Sequence, residues 1–189
     1  MKTSSRHRTS KDLRQHMRQL EIEVTYWKKR AMYDPMTGVH SKEEGLRQLE
    51  AAIHQCHVRK GSLTICFIDI DGLKKINDQY GHCQGDRVIR DVSRIIRKSI
   101  RREDIMFRFG GDEFVVIFKH TTKQEAQANW QRVRTNIKKF NLRNYPDIPV
   151  DLSTGFIEHC KVQGTTSTTL IHAADQAMYQ EKNNKKQRL

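Results

Sequence analysis

The sequence of 189 residues is 36% hydrophobic and contains only three prolines, a composition that suits one packed domain with an extension. It has no run of about 18 apolar residues, and its basic N-terminus lacks the apolar stretch of a signal peptide. We therefore expect a cytoplasmic protein without a membrane span. The four cysteines are widely spaced and form no CxxC pair, which indicates reduced thiols rather than disulfides or a zinc site: they are Cys56, Cys66, Cys83 and Cys160.

The formal charge of +13 raises the question of nucleic-acid binding. Residues 1–30 hold nine Lys and Arg against three acids, and residues 182–189 hold four Lys and Arg and no acid. Most of the charge therefore lies in the two ends, whereas a basic groove would be built into the domain. We expect solvated ends and no specific nucleic-acid partner, although a basic interaction protein that acts through its termini stays an alternative.

The first predicted element is a helix over residues 11–31 whose apolar residues alternate at spacings of four and three. This period of about 3.5 gathers them into one seam that can be buried against a partner helix. The seam consists of Leu13, Met17, Leu20, Val24, Trp27 and Ala31. We favour a dimerising helix, but about three heptads are short, so packing of the seam back onto the domain stays an alternative. Pro35 should end the helix, because proline disfavours helical geometry at the residue before it.

The remaining elements alternate between helices and strands. Apolar spacing and β-rich runs predict a helix over 41–60 with Ser41 as N-cap and Glu44 three residues on, and a buried strand over 63–70. The later elements are a helix over 86–99, a hairpin of strands 105–109 and 113–118, a helix over 121–140, a strand over 150–157 and a helix over 167–182. Helices interleaved with a hairpin-containing sheet predict an α+β layered fold, a sheet covered by helices.

Acidic residues stand at two strand ends where a folded protein usually avoids them. Asp69 interrupts an apolar strand and Asp71 follows it, while Asp112 and Glu113 come directly after Gly110-Gly111 in the hairpin. Buried carboxylates cost several kcal/mol unless a cation meets them, and such oxygen ligands suit Mg²⁺ beside substrate phosphates. The glycines allow a tight turn and the close approach of a ligand to the backbone. Taken alone, Gly-Gly-Asp is equally compatible with an ordinary polar hairpin turn.

Five stretches, in sequence order, carry a resemblance to a known family. They are Asp34-Pro-Met-Thr-Gly38, Asp69-Ile-Asp-Gly-Leu-Lys-Lys-Ile-Asn-Asp78, Tyr80-Gly-His-Cys-Gln-Gly-Asp86, Arg108-Phe-Gly-Gly-Asp-Glu-Phe114 and Ala174-Asp-Gln-Ala-Met-Tyr179. Together they resemble the GGDEF family of diguanylate cyclases, and the resemblance covers about residues 33–188.

The resemblance implies a nucleotidyl-cyclase or ferredoxin-like layered fold, with a mainly antiparallel central sheet covered by helices and an N-terminal helix. The expected division is an N-terminal basic helix over 1–32, a dimerising coiled-coil stub, and a GGDEF catalytic domain over 33–189. The resemblance also implies condensation of two GTP into cyclic di-GMP and two pyrophosphates, on a homodimer in which each domain holds one GTP.

For the metal, the resemblance implies Mg²⁺ or Mn²⁺ bound by the side chains of Asp69, Asp112 and Glu113 and by the carbonyl of Ile70. Asp112 and Glu113 would also be catalytic, with Asp112 as the family's proposed proton acceptor. Lys74 would neutralise charge on the phosphates in the transition state.

For the substrate, the resemblance implies that Asn77 and Asp86 bind the guanine edge. A carboxylate can accept from guanine N1–H and N2–H₂, which adenine does not offer. His82 lies in the same substrate-facing turn, and Lys182 with Lys186 would hold the terminal phosphates.

Arg101-Arg-Glu-Asp104 matches the family's Arg-x-x-Asp site, at which the product cyclic di-GMP acts as an inhibitor. An arginine can stack on guanine and donate two hydrogen bonds to it, while an aspartate accepts from the ring edge. Arg132 would contribute from a neighbouring domain. Without the resemblance, the same four residues would be a charged helix terminus.

The sequence departs from the family pattern at a few positions. Ser41-Lys42 stands where Asn-Arg is common, Gly72 and Leu73 fill positions that are often aromatic, and Lys186 replaces an arginine, giving a point charge instead of a bidentate group. None of these changes removes a metal ligand or a guanine-binding residue. The main alternative, a non-catalytic receptor for GTP or cyclic di-GMP on the same fold, would typically show a damaged Gly-Gly-Asp-Glu-Phe turn, and this one is intact.

Overall fold

The computed structural model describes residues 4–59, 61–144, 149–159 and 164–187, with side chains from residue 12 onwards except those of residues 29 and 59. The described helices are α1 (Ser4–Met32), α2 (Lys42–Arg59), α3 (Leu73–Tyr80), α4 (His82–Ser99), α5 (Lys123–Asn144) and α6 (Ser167–Lys186). The strands are β1 (Leu63–Asp71), β2 (Ile105–Arg108), β3 (Glu113–Lys119) and β4 (Asp151–Glu158).

The four strands form one sheet in the order β2-β3-β1-β4, and every neighbouring pair is antiparallel. From β1 to β4 the chain therefore follows a β-α-β-β-α-β course, with two helices in the first crossover, which is the ferredoxin-like arrangement. The predicted α+β layered fold is confirmed.

Strand β1 is central and is buried on both faces, because its side chains alternate between two cores. Ile68 and Ile70 pack with residues of α3, α4 and α5 on one face of the sheet. Ile65 and Phe67 pack with residues of α2 and α6 on the other face. By the same alternation, Asp69 points to the face that α6 covers.

Each predicted helix and strand is present, although α1 begins seven residues before its expected start at residue 11, and one helix was not predicted. The unpredicted helix is α3, which has only eight residues, of which Leu73 and Ile76 are buried. At the start of α2, Ser41 Oγ accepts from the amide of Glu44 at 3.3 Å, as an N-cap does. The same hydroxyl donates to the carbonyl of Ala31 at 2.6 Å and so ties α2 to the end of α1.

Helix α1 leaves its apolar seam in solvent in the single chain. Leu13 is 63% exposed and Trp27 62%, and the seam residues between them are also about half exposed. The alternative in which the seam packs back onto the domain is therefore wrong for this stretch. The helix ends at Met32, before Pro35, as predicted.

Two expectations from composition concern thiols and membranes. Cys56, Cys66 and Cys83 form no disulfide, whereas Cys160 lies outside the described residues. In the part of the chain that the structure describes, no helix is both long and apolar enough to cross a membrane.

Candidate active site

The two acidic strand ends lie side by side. In the register of β1 and β3, Asp69 stands opposite Glu113, and directly opposed residues of an antiparallel pair project from the same face. The amide of Ile70 donates to the carbonyl of Asp112 at 3.3 Å. The four residues predicted to bind metal are therefore brought together where β1 ends and β3 begins. We call this end of the sheet, with Asp69, Asp112 and Glu113, the acidic edge.

The hairpin turn is held by Arg108. Its Nε and Nη2 donate to the carbonyl of Gly111 at 3.1 and 2.7 Å, while Nη1 lies 3.2 Å from both carboxylate oxygens of Asp34. Asp34 is fixed in turn by the amide and hydroxyl of Thr37, which donate at 2.9 and 2.6 Å. Burial opposes ionisation of Asp34, but these hydrogen bonds and the charge of Arg108 leave its pKa below the ordinary value. Sequence reasoning gave no role to this ion pair, because its members are 74 residues apart.

Gly110 leaves room for the carboxylate of Glu113. A Cβ on Gly110 would stand 2.7 Å from Glu113 Oε2, whereas a Cβ on Gly111 would meet nothing within 4 Å. A side chain at position 110 would therefore force the end of the Glu113 side chain to move.

Helix α6 brings a lysine to Asp69. Lys182 Nζ lies 2.6 Å from Asp69 Oδ1. The helix approaches closely because β4 has Gly155 beneath it, where a Cβ would stand 1.9 Å from the carbonyl oxygen of Ala174. Lys186, four residues further on, is exposed.

A second lysine of α6 was missed by the sequence analysis. Lys185 Nζ lies 3.0 Å from Asp71 Oδ2, 2.7 Å from Asp151 Oδ2 and 2.7 Å from the carbonyl oxygen of Leu152. Ser153 Oγ donates to the same Asp71 carboxylate. Lys185 thus fixes α6 against the ends of β1 and β4, and only its place within a basic C-terminal run could have suggested a role.

The carboxylates of Asp69, Asp112 and Glu113 are partly buried and repel one another. Burial raises the pKa of Asp69, which is 7% exposed; the Lys182 ammonium opposes this rise, and the charges of Asp112 and Asp71 add to it. Burial also raises the pKa of Glu113, and the charges of Asp112, Asp69 and Asp175 contribute. Asp175 on α6 is a further acidic residue that sequence reasoning did not assign.

This donor set fits a hard divalent cation, because Mg²⁺ and Mn²⁺ prefer carboxylate and carbonyl oxygen. Within the described ranges, however, no three His, Cys, Asp or Glu side chains converge into a ready metal cluster. The Asp69 carboxylate faces Lys182 instead, so a bound cation would have to share or replace that ammonium.

The predicted guanine-binding residues lie on α3 and α4. A Cβ on Gly85 would stand 1.8 Å from Asn77 Oδ1, so the Asn77 amide rests directly on the glycine. Asn77 Oδ1 is buried against this glycine and has no hydrogen-bond partner among the residues described. Asp86 is half-buried one helical turn after the exposed His82, and Lys74 is exposed on α3.

The predicted inhibitory residues meet at the end of α4. Asp104 is 4% exposed, and its Oδ2 accepts from the amide of Arg101 at 2.9 Å. Its Oδ1 is buried and has no partner in the described part of the chain. The Arg101 side chain is half exposed. Arg132, expected from a neighbouring domain, reaches the region within its own chain, where Nε donates to the Ser99 carbonyl at 2.8 Å.

Known proteins resemble this chain over nearly its whole length. The model of the family described as "Diguanylate cyclase, GGDEF domain" matches residues 31–188. The probable diguanylate cyclase DgcC of Escherichia coli K12 is 31% identical over 176 residues, covering 93% of this chain and 45% of the relative. Diguanylate cyclase DgcP of Pseudomonas aeruginosa is 31% identical over 165 residues, covering 86% of this chain and 24% of the relative. The chain thus spans less than half of the length of these relatives.

Solved structures share the fold. The coiled coil and GGDEF domain of DgcB from Caulobacter crescentus, in complex with c-di-GMP, matches with a TM-score of 0.86 at 22% identity over 96% of both chains. Diguanylate cyclase SiaD of Pseudomonas aeruginosa, in complex with its activator SiaC, matches with a TM-score of 0.75 at 28% identity, over 95% of this chain and 68% of SiaD. With most of the chain matched by the family model and the signature residues gathered at one sheet edge, the chain belongs to the GGDEF diguanylate cyclase family.

Proposed function

We propose that this chain is a diguanylate cyclase that condenses two GTP into cyclic di-GMP and two pyrophosphates. The observation that carries the proposal is the intact acidic edge, in which Asp69 and Glu113 face each other across β1 and β3 beside Asp112. A receptor for cyclic di-GMP alone has no need of three mutually repelling carboxylates at a strand end, since such an arrangement costs stability unless a cation compensates it.

The metal would be held by Asp69, Asp112, Glu113 and the Ile70 carbonyl. When bound, Mg²⁺ or Mn²⁺ supplies charge neutralisation of the phosphates and acidification of the attacking hydroxyl. Asp112 would accept the proton of that hydroxyl.

Three lysines would supply positive charge to bind the triphosphate: Lys182, Lys186 and Lys74. Lys182 already lies in the acidic edge, and Lys186 follows one turn later on the same helix. Lys74 on α3 would offset the charge that develops during phosphoryl transfer.

Guanine would bind between α3 and α4. Asn77 lies against Gly85, and Asp86 is the next residue on α4. A carboxylate at this place accepts from the N1–H and N2–H₂ of guanine and finds no such donors on the same edge of adenine. We therefore propose guanine selectivity at each half-site.

The reaction needs two copies of the domain, because each 3′-hydroxyl attacks the α-phosphorus of the nucleotide on the other copy. We propose that residues 1–32 dimerise through the exposed seam and that residues 33–189 form the catalytic domain. Cyclic di-GMP would inhibit at Arg101, Asp104 and Arg132. The cytoplasmic location stays a prediction.

The deciding experiment is nucleotide analysis after incubation of the chain with GTP and Mg²⁺. Cyclic di-GMP and pyrophosphate in a ratio of one to two support the proposal. Binding of GTP or cyclic di-GMP without turnover would favour the receptor alternative. No binding of either nucleotide would favour the basic interaction protein, which shortening of residues 1–30 would then test.

Asp112→Ala should lower turnover by at least about a hundredfold, since a metal ligand contributes several kcal/mol to the transition state. The fold should persist, because Asp112 lies in a turn and its side chain is only half-buried. The control is Asp91→Asn, which removes the charge of an acid of α4 that pairs with Arg94 at 2.6 Å and should leave turnover unchanged. Unimpaired turnover in Asp112→Ala, with an unchanged melting curve, would contradict the metal assignment.

A further inference from the structure

A pair of histidines lies at the opposite end of the sheet from the acidic edge. His159 follows β4, and its amide donates to the carbonyl of Leu63 at 2.8 Å, at the beginning of β1. Asp69 is six residues further along β1, which corresponds to about 20 Å of extended strand. The pair is therefore separate from the candidate active site.

The two imidazoles meet through their Nε2 atoms. Nε2 of His57, near the end of α2, lies 3.3 Å from Nε2 of His159. The ring planes are nearly perpendicular, at 81°, with centroids 4.8 Å apart. His159 is 4% exposed, whereas His57 is exposed, so the pair is anchored on one side and open to solvent on the other.

The distance between the two nitrogens fits a shared metal ion. Zn²⁺ binds histidine nitrogen at about 2.0–2.1 Å in tetrahedral geometry, which places two such nitrogens about 3.3–3.4 Å apart. We propose that His57 and His159 form a binding site for a borderline divalent cation, represented by Zn²⁺, that joins α2 to the end of β4. Without metal, the same distance accommodates one imidazole N–H donating to the other ring.

The ligand chemistry separates this site from the acidic edge. Imidazole nitrogen suits Zn²⁺, Ni²⁺ and Cu²⁺, while Mg²⁺ takes oxygen ligands. Among the described residues, no third His, Cys, Asp or Glu converges on the pair, so this part of the chain supplies two ligands. Zn²⁺ should therefore bind here in the presence of excess Mg²⁺.

Zn²⁺ bound at the histidine pair should stabilise the folded chain. The two ligands are 102 residues apart and are brought together only by folding, so the ion binds the folded state in preference to the unfolded state. At a free Zn²⁺ concentration of about one hundred times Kd, the melting temperature should rise by about 5–10 °C.

The test uses the chain without a polyhistidine tag, treated with chelator, in a Cys83→Ala background that removes an exposed thiol. Zn²⁺ is titrated by calorimetry with Mg²⁺ in excess, and melting is followed with and without Zn²⁺. His57→Gln is the deciding variant, because His57 is exposed and its loss should not prevent folding. His54→Gln is the matched control, an exposed histidine three residues earlier on the same helix.

We expect His57→Gln to weaken Zn²⁺ binding by more than about tenfold and to lose the rise in melting temperature, while His54→Gln keeps both. Three results would overturn the proposal: a parent chain that binds no Zn²⁺, a His57→Gln variant that binds like the parent, or a His54→Gln variant that loses as much as His57→Gln. None of these results depends on GTP turnover, so the metal site and the proposed cyclase activity are tested separately.

Discussion

Asn77 has its place in the candidate site because Gly85 has no side chain. The amide oxygen of Asn77 occupies the position at which a Cβ of residue 85 would stand. Gly85 does not have a positive φ and lies inside α4, so no backbone conformation requires glycine there. The close contact with Asn77 is the physical reason for a glycine that helix propensity alone disfavours.

Gly85→Ala should therefore impair substrate binding without loss of stability. The new methyl group displaces the Asn77 amide, while alanine in a helix is favoured over glycine by about 1 kcal/mol. We expect KM for GTP to rise about tenfold, the equivalent of one lost hydrogen bond, with a melting temperature equal to or above that of the parent. Steady-state kinetics and thermal denaturation measure the two quantities.

The control for this substitution is Cys83→Ala, an exposed position two residues earlier on α4. Its KM should match that of the parent. An unchanged KM in Gly85→Ala would show that Asn77 does not contribute to binding from its observed position.

At the scale of elements, the turn between α4 and β2 combines a buried acid with an exposed base. Burial raises the pKa of Asp104, and the Arg101 backbone amide, which donates to its carboxylate, opposes this effect. Asp104 therefore contributes to the local fold as well as to any ligand site. The Arg101 side chain lies in solvent, where its nearest acid is Glu103 at 3.7 Å.

Arg101→Ala is therefore a more specific test of product inhibition than a substitution of the buried Asp104 would be. The substitution leaves the backbone amide that binds Asp104 in place and removes only the guanidinium. We expect the inhibition constant of cyclic di-GMP to rise about tenfold or more, because a bidentate arginine–guanine contact contributes about 1–3 kcal/mol. Initial rates measured with added cyclic di-GMP give this constant.

The initial rate without added product should stay close to that of the parent. Arg102→Ala, which removes the neighbouring exposed arginine, is the matched control. Equal inhibition of Arg101→Ala and the parent would remove the feedback site from the proposal.

Some of these helices and strands could be predicted from the sequence and others could not. The central strand and the hairpin follow from apolar runs and from Gly110-Gly111, whereas the proximity of Asp69 and Glu113 was implied only by the resemblance, which makes both residues metal ligands. Helix α3 could not be found by periodicity, because eight residues with two buried positions give too short a pattern.

The missed contacts of the site are long-range. Lys185 contacts Asp71 across 114 residues, and Arg108 contacts Asp34 across 74. Such pairs depend on how helices and loops pack against the sheet, which local spacing does not encode. The resemblance supplied residue roles, but it did not indicate which neighbours hold those residues in place.

In the single chain, α1 is the helix whose apolar residues are not buried in a hydrophobic core. Its seam residues are about half or more exposed, in contrast to the buried faces of α2 and α6. Ser41 joins the end of α1 to α2 through the Ala31 carbonyl. A partner helix on the seam would thus be tied to the domain, and it would keep two catalytic domains near each other.

Such a dimer would raise the effective concentration of each catalytic domain around the other. Two domains joined by short, ordered segments face each other at an effective concentration in the millimolar range, whereas separate domains at micromolar concentration meet rarely. In the proposed reaction each GTP needs the nucleotide on the other domain, so the rate per chain should be almost independent of protein concentration for a dimer and proportional to it for monomers.

Leu20→Glu combined with Val24→Glu places four charges at the seam of the dimer and should separate the two chains. At micromolar protein we expect the rate per chain to fall by about a hundredfold or more, and to rise in proportion as the protein concentration increases. The control is Ile22→Glu, which places a charge at an apolar residue of the same helix that is 64% exposed and lies outside the seam. Its rate and its mass by light scattering should match those of the parent. If the double variant kept the parent's rate at every concentration, the seam would have no part in bringing the two nucleotides together, since a charged seam cannot remain buried between helices.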